Sequence, residues 1–227
     1  KFSTSRNWAV WLHEFLEAYP TKVDELKYVL TAIAPENKDS EFTWKEFQSR
    51  INNELAAIYG NFVNRTLVLT QKYYEGIIPA PNKFSAEDLL VLKELQEIPE
   101  RISKNIYEYK LREAQAEMMN LARLGNKYLA DQEPWKVIKI DEERVKTILY
   151  IALQITAALS VASFPFIPDT SKKLQKMLNF SSENWADLLQ EEVLQAGNKI
   201  GEVEILFPKI EDDLVENEVA KLQNAKN

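Results

Sequence analysis

The stretch TWKEFQSRINNELAAIYGNFVNRTLVLTQKYY, residues 43–74, decides the fold class. Thr43-Trp44-Lys45-Glu46 has the spacing of a capping box, in which the threonine hydroxyl accepts the amide three residues on and the glutamate reaches back. Behind it Ile51, Leu55, Ile58, Phe62, Leu69 and Tyr73 recur at three- and four-residue steps or their multiples, the period of one face of an α-helix. A long helix to about Tyr74 is predicted, stopped by Gly76 and the prolines Pro79 and Pro81.

The same pattern extends in both directions. Downstream, Ser85-Ala86-Glu87-Asp88 is a second capping signal, and helical periodicity runs to about Leu129 with a break expected near Pro99. Glu133-Pro134-Trp135-Lys136 places proline where a helix begins, a position at which its missing N–H costs nothing. A helix is predicted from Glu142 to Ala162, ending at Phe164-Pro165-Phe166-Ile167-Pro168, and a shorter one from Thr170 to Leu178. One or two turns are expected at 183–189, a short extended segment around Val203, Ile205 and Phe207, and an amphipathic helix from Asp212 to Gln223. Upstream, Trp11–Tyr19 and Val23–Ile33 read as helices punctuated by Pro20 and Pro35, with a polar loop from Pro35 to Phe42. No repeat recurs at a fixed period. The expected fold is all-α: an antiparallel helix bundle, residues 43–227, behind a small N-terminal appendage, residues 1–42.

Composition agrees with a packed helical core. Apolar residues make up 45% of the 227, with only five glycines and nine prolines. There is no cysteine, which removes disulfides and thiolate metal sites. The sole histidine, His13, reads as a partly exposed helix residue, so no metal site is expected. No signal peptide is visible, and the most apolar run, Ile148–Phe164, carries Gln154, Thr156 and Ser160 and reads as a buried helix. No membrane partner and a cytoplasmic location are expected. The chain opens on Lys1 inside a motif, and is read as a piece of a longer protein.

The net charge of −7 argues against a broad basic footprint for nucleic acid. Residues 202–227 contribute −4 of it, so the remaining 201 residues carry −3 and leave room for a local binding surface. Asn61 and Arg65 are four residues apart, hence on one helix face, roughly 80–120° from the centre of the apolar stripe; Lys72 shares that flank. An amide beside a guanidinium can bond base edges and phosphate oxygens, though a solvated helix edge has the same look. Trp8, Trp11, Trp44 and Trp185 are assigned to packing. Trp135 differs, with polar neighbours Asp131, Gln132, Glu133 and Lys136 and a place at a helix start.

Several segments, in order and spacing, resemble the methionyl-tRNA synthetases of class I. Lys1-Phe2-Ser3-Thr4-Ser5 is similar to the family's Lys-Met-Ser-Lys-Ser loop. Tyr28-Val29-Leu30, Ala34-Pro35-Glu36 and Phe42-Thr43-Trp44 resemble its stem-contact region. Asn53-Glu54-Leu55, Gly60-Asn61-Phe62-Val63-Asn64-Arg65, Glu133-Pro134-Trp135, Pro165-Phe166-Ile167-Pro168 and Leu206-Phe207-Pro208-Lys209-Ile210 resemble landmarks of its anticodon-binding bundle. The resemblance implies that Lys1, Ser3, Thr4 and Ser5 belong to the loop that stabilises pyrophosphate charge when ATP, with magnesium, activates methionine. Thr4 replaces the second lysine and supplies a hydroxyl without a charge. It implies that Asn61, Arg65, Pro134 and Trp135 meet the tRNA anticodon, with Asn126 and Tyr128 in support. Single-stranded loops are read in this way, with bases splayed onto aromatics and bonded at their edges. The implied partners are tRNA(Met) and the chain's own catalytic domain in the full-length enzyme. No cofactor is expected in the piece itself, which would be inactive alone. Two alternatives stay open: the corresponding domain of a leucine, isoleucine or valine synthetase, and a non-enzymatic helical scaffold.

Overall fold

The structure is a computed structural model and describes residues 10–36, 40–182, 184–186 and 192–224. Among them the secondary structure is helical, with one isolated antiparallel bridge between Ile77 and Lys199 and no strand. Around Val203–Phe207 the expected extended segment pairs with no ladder.

Two short helices lead in, α1 (Leu12–Ala18) and α2 (Val23–Ala32). Next comes a continuous rod: α3 (Trp44–Arg50), a π-helical stretch (Ile51–Gly60) and α4 (Asn61–Tyr74). Thr43 caps α3 by accepting the Glu46 amide at 3.0 Å. The glutamate does not reach back as expected; its carboxylate takes Arg50 Nε at 2.7 Å, one turn further on. The π stretch also changes the buried face. Its wider turns bring Tyr59 into the core, where Ile58 was expected, and leave Ile58 half-buried.

An antiparallel pair follows, α5 (Ala86–Tyr107) and α6 (Leu111–Gln132). Ser85 and Asp88 form a complete capping box at the head of α5. The break expected near Pro99 is absent: Pro99 is buried within an unbroken helix that packs on α6 along its length. The chain turns at Glu108–Lys110 instead, where Tyr109 takes φ 57° and the Lys110 amide closes on Asn105 O at 2.8 Å. That six-to-one bond is how a left-handed residue seals a helix C-terminus.

After a single turn, α7 (Pro134–Val137), the core helix α8 (Glu142–Ala162) crosses the bundle, followed by α9 (Pro168–Met177) and α10 (Asp212–Asn224). By length and composition α8 is apolar enough to span a membrane, but α4, α5, α6, α7 and α9 enclose it. Its polar side chains are satisfied in place. Gln154 donates to Leu194 O at 2.7 Å and accepts the amides of Val193 and Leu194, while Thr156 and Ser160 bond back to their own helix. The C-terminal segment is strapped to the rod by Asn52, which exchanges two hydrogen bonds with the Ile210 backbone at 2.8 and 2.9 Å.

One hydrophobic core runs from Phe15 through the bundle to Ile210. The aromatics Phe15, Tyr19, Phe42, Trp44 and Phe47 knit α1 and residues 40–42 to α3. Trp44 is in the core as expected, and Trp185 is half-buried against it. His13 is exposed on α1. Lys1, Ser3, Thr4 and Ser5 lie outside the described residues, as does Trp8.

Candidate nucleic-acid interface

The site begins with a glycine. Gly125 lies on α6 where a Cβ would fall 2.2 Å from the ring of Phe62 on α4. The absent methyl lets the two helices approach until the Phe62 ring fills the space. Asn61 and Asn126, each one residue along from this contact, are thereby brought together, with Asn61 Nδ2 3.4 Å from Asn126 Oδ1.

Asn126 is pinned. Its amide nitrogen donates both protons, to Ile58 O at 2.8 Å and to Ala122 O at 3.0 Å. The first acceptor belongs to the π stretch. With both donors spent, the Asn126 carbonyl is oriented outward, and it orients the exposed Asn61 in turn.

One turn along α4, the Arg65 guanidinium lies 5.5 Å above the centre of the Trp135 ring. Trp135 arrives there through backbone geometry. Glu133 ends α6 in the left-handed region, φ 43° and ψ 53°, which reverses the chain within one residue. Pro134, buried, starts α7. Only four residues long, α7 carries the indole half-buried at the surface, in a position distinct from the sealed Trp44. An exposed Glu133–Lys136 ion pair at 2.7 Å flanks it.

Asn61, Arg65, Asn126 and Trp135 thus form one accessible strip across α4, α6 and α7. Pro134 is beneath it, as the turn that aims the tryptophan rather than as a contact surface. Lys72 is exposed further along α4, 5.4 Å from the centre of the Tyr73 ring. Tyr128, expected only in support, is 3% exposed, and its hydroxyl donates to Asp88 at 2.7 Å inside the bundle. Burial, the bond to Asp88 and the nearby carboxylate charge all push its hydroxyl well above the usual tyrosine range.

Chemically the strip offers an aromatic face, a guanidinium and amide hydrogen-bonding groups in a row. It holds no nucleophile–base pair. No group of histidine, cysteine and carboxylate side chains suited to a metal occurs among the described residues. Such a surface stacks, and bonds the edges of, unpaired planar bases.

Sequence reasoning singled out Asn61, Arg65, Trp135 and Asn126, which the structure brings together. It missed Gly125 as the determinant of the helix approach and the π stretch that supplies the acceptor for Asn126. Gly125 was visible only as a glycine inside a helical pattern, a sign of close packing.

Residues 78–227 match the family model described as the anticodon binding domain of methionyl tRNA ligase, and residues 1–67 match that of class I tRNA synthetases (M). The chain is 58% identical over 233 residues to the methionine–tRNA ligase of Christiangramia forsetii, covering all of this chain and 34% of that protein. It is 57% identical over 228 residues to the enzyme of Flavobacterium psychrophilum, covering all of this chain and 33% of that one. The chain therefore spans about a third of the length of the curated relatives it matches. Among solved structures, the apo form of Mycobacterium tuberculosis methionyl-tRNA synthetase superposes with a TM-score of 0.80 at 23% identity, over 89% of this chain and 41% of that one. That likeness bears out the all-helical fold.

Proposed function

The chain belongs to the methionyl-tRNA ligase family, and from that premise we propose that the strip of Asn61, Arg65 and Trp135 reads the anticodon loop of tRNA(Met). The contact of Arg65 with the Trp135 ring, on the same accessible strip as Asn61, carries the proposal. A base stacked on the free part of the indole gains roughly 1–3 kcal/mol. Arg65 holds the ring while offering its remaining N–H groups to a base edge or phosphate. Asn61 supplies a donor and an acceptor one turn away, which suits a base rather than a bare charge. The overall negative charge fits a small patch whose affinity comes from stacking and hydrogen bonds more than from a basic field.

In the longer protein this bundle would serve an enzyme that activates methionine with ATP and magnesium and charges tRNA(Met) in the cytoplasm. Within that enzyme Lys1, Ser3, Thr4 and Ser5 form the pyrophosphate-facing loop. Residues 6–42 join that loop to the bundle of residues 43–227. When bound, ATP supplies the leaving pyrophosphate; the loop's lysine and hydroxyls supply charge and donors where negative charge develops.

The test is direct binding of the 227-residue chain to the anticodon stem-loop of methionine tRNA and to the same hairpin with its anticodon replaced, at several salt concentrations. The cognate hairpin should bind more tightly at every salt concentration. Equal affinities throughout would remove the anticodon assignment.

A further inference from the structure

We infer that Arg144 and Gln132, anchored on Asp88, form a clasp at the neck of the Trp135-bearing segment and act as positioning residues for the indole. The functional consequence rests on the anticodon reading above; the geometry does not.

The segment between α6 and α8 packs on the core through Pro134, Trp135, Val137 and Ile138 but has little helical stability of its own. A single helical turn such as α7 is far below the length at which a helix persists alone. Its flanking ion pair, Glu133–Lys136, is exposed and contributes little. The two ends are nevertheless joined. Arg144, in the first turn of α8, donates from Nη2 to Gln132 Oε1, on the last residue of α6, at 2.6 Å. Every residue from Glu133 to Glu143 lies inside this closed neck.

The clasp is anchored in the bundle. Arg144 makes a two-pronged bond to Asp88, Nη1 to Oδ2 and Nη2 to Oδ1, the latter at 2.8 Å. Asp88 has no exposed side-chain surface. It also accepts the Tyr128 hydroxyl at 2.7 Å and the Ser85 amide at 2.8 Å, so its carboxylate sites are fully used. Burial alone would raise the Asp88 carboxyl, but these donors outweigh it and hold the group below the usual aspartate range. Gln132 completes the clasp by donating from Nε2 to Glu87 at 3.0 Å. The heads of α5 and α8 and the end of α6 therefore meet at one buried charge directly behind the turn.

A salt bridge for stability alone would end at Asp88. The additional bond from Arg144 to Gln132 spans the two roots of the loop. It sets where Pro134 starts and thus where the indole stands relative to Arg65.

The experiment compares the wild-type chain with Gln132→Ala, which opens the neck and leaves Asp88 and Arg144 paired, and with Arg144→Met, which removes the clasp. Hydrogen exchange needs no RNA. In Gln132→Ala the amides of Val137, Ile138 and Ile140, which bond within the segment, should exchange at least tenfold faster, while those of α3 and α9 stay at wild-type rates; in Arg144→Met, which also leaves the buried Asp88 unpaired, exchange in the segment should rise by a larger factor than in α3 and α9. With the hairpins, the ratio of cognate to altered-anticodon affinity should fall at least threefold in Gln132→Ala. It should fall no further when Gln132→Ala is added to Trp135→Ala, since the clasp acts through the indole. Unchanged local exchange in Gln132→Ala would overturn the inference. So would faster exchange spread evenly over the bundle with an unchanged affinity ratio. Faster local exchange in a protein whose wild type ignores the anticodon would support the clasp and sink the anticodon reading instead.

Discussion

Gly125→Ala places a methyl carbon 2.2 Å from two atoms of the Phe62 ring and 2.6 Å from a third. Ordinary carbon–carbon contact is about 3.5–4.0 Å, so the ring or the helix must give by more than 1 Å. Phe62 is 0% exposed and has nowhere to rotate. Two effects oppose each other. Alanine gains about 1 kcal/mol over glycine in a helix interior. Overpacking a filled core costs about 1–3 kcal/mol, and a clash with three atoms of a sealed ring belongs at or above the top of that range. The net expectation is a loss of about 2 kcal/mol, or roughly 30-fold in the folding equilibrium. In urea the midpoint should fall with an unchanged slope, and for a chain of this size the melting temperature should drop by about 4–8 °C. Because the same contact sets the Asn61–Asn126 pairing, cognate hairpin binding should weaken as well. A Gly125→Ala protein as stable as wild type, or more so, would show that helix propensity, not the Phe62 contact, decides at this position.

Three further predictions concern charge. Arg65→Lys keeps the cation but loses the planar fork over the indole; at an exposed site that contact is worth about 0.5–1 kcal/mol, so cognate hairpin affinity should fall roughly two- to fivefold in a titration, with stability nearly unchanged. Asp88 has a carboxyl held below its unfolded value, so its contribution is present above about pH 4 and lost as pH falls through the folded value. Asp88→Asn should therefore lose about 3 kcal/mol at pH 7 and show a flatter stability profile than wild type between pH 5 and 3 in denaturant melts. Glu25 is the opposite case: burial raises its carboxyl despite Lys22 nearby. Its protonated form fits the fold better, so wild-type stability should decline as pH rises through the raised value. Glu25→Gln should then be more stable than wild type at pH 7 and indistinguishable from it below pH 4.

The sequence displayed the periodic part of this architecture and hid the relational part. Residues 142–162 alternate in no way that suits a strand, and α8 spans those residues as expected. Ser85 and Thr43 announced helix starts because capping is local chemistry, confined to three residues. Pro99 misled because a proline's local cost is a few kcal/mol, and packing along α6 outweighs it. The π stretch was invisible because its cause is tertiary: Tyr59 turns inward to stack edge-on with Phe207 and bond Ser163, both far away in sequence. In the site, Asn61 and Arg65 were legible as a helical pair and Trp135 as an oddly placed indole. Their meeting was not, since it depends on Gly125 against Phe62 and on the left-handed Glu133. Arg144 read as one more charge at a helix start; only the fold shows that it reaches both Asp88 and Gln132.

The proposed anticodon recognition requires that Trp135 offer an accessible face on which a base stacks. It is tested most directly by titrating Trp135→Ala and wild type with the methionine anticodon hairpin and its altered-anticodon counterpart. A lost stack of roughly 1–3 kcal/mol should weaken cognate binding about 5- to 150-fold and bring the two hairpins to similar affinity, with circular dichroism unchanged. Cognate binding and discrimination equal to wild type in Trp135→Ala would rule out base stacking on this indole.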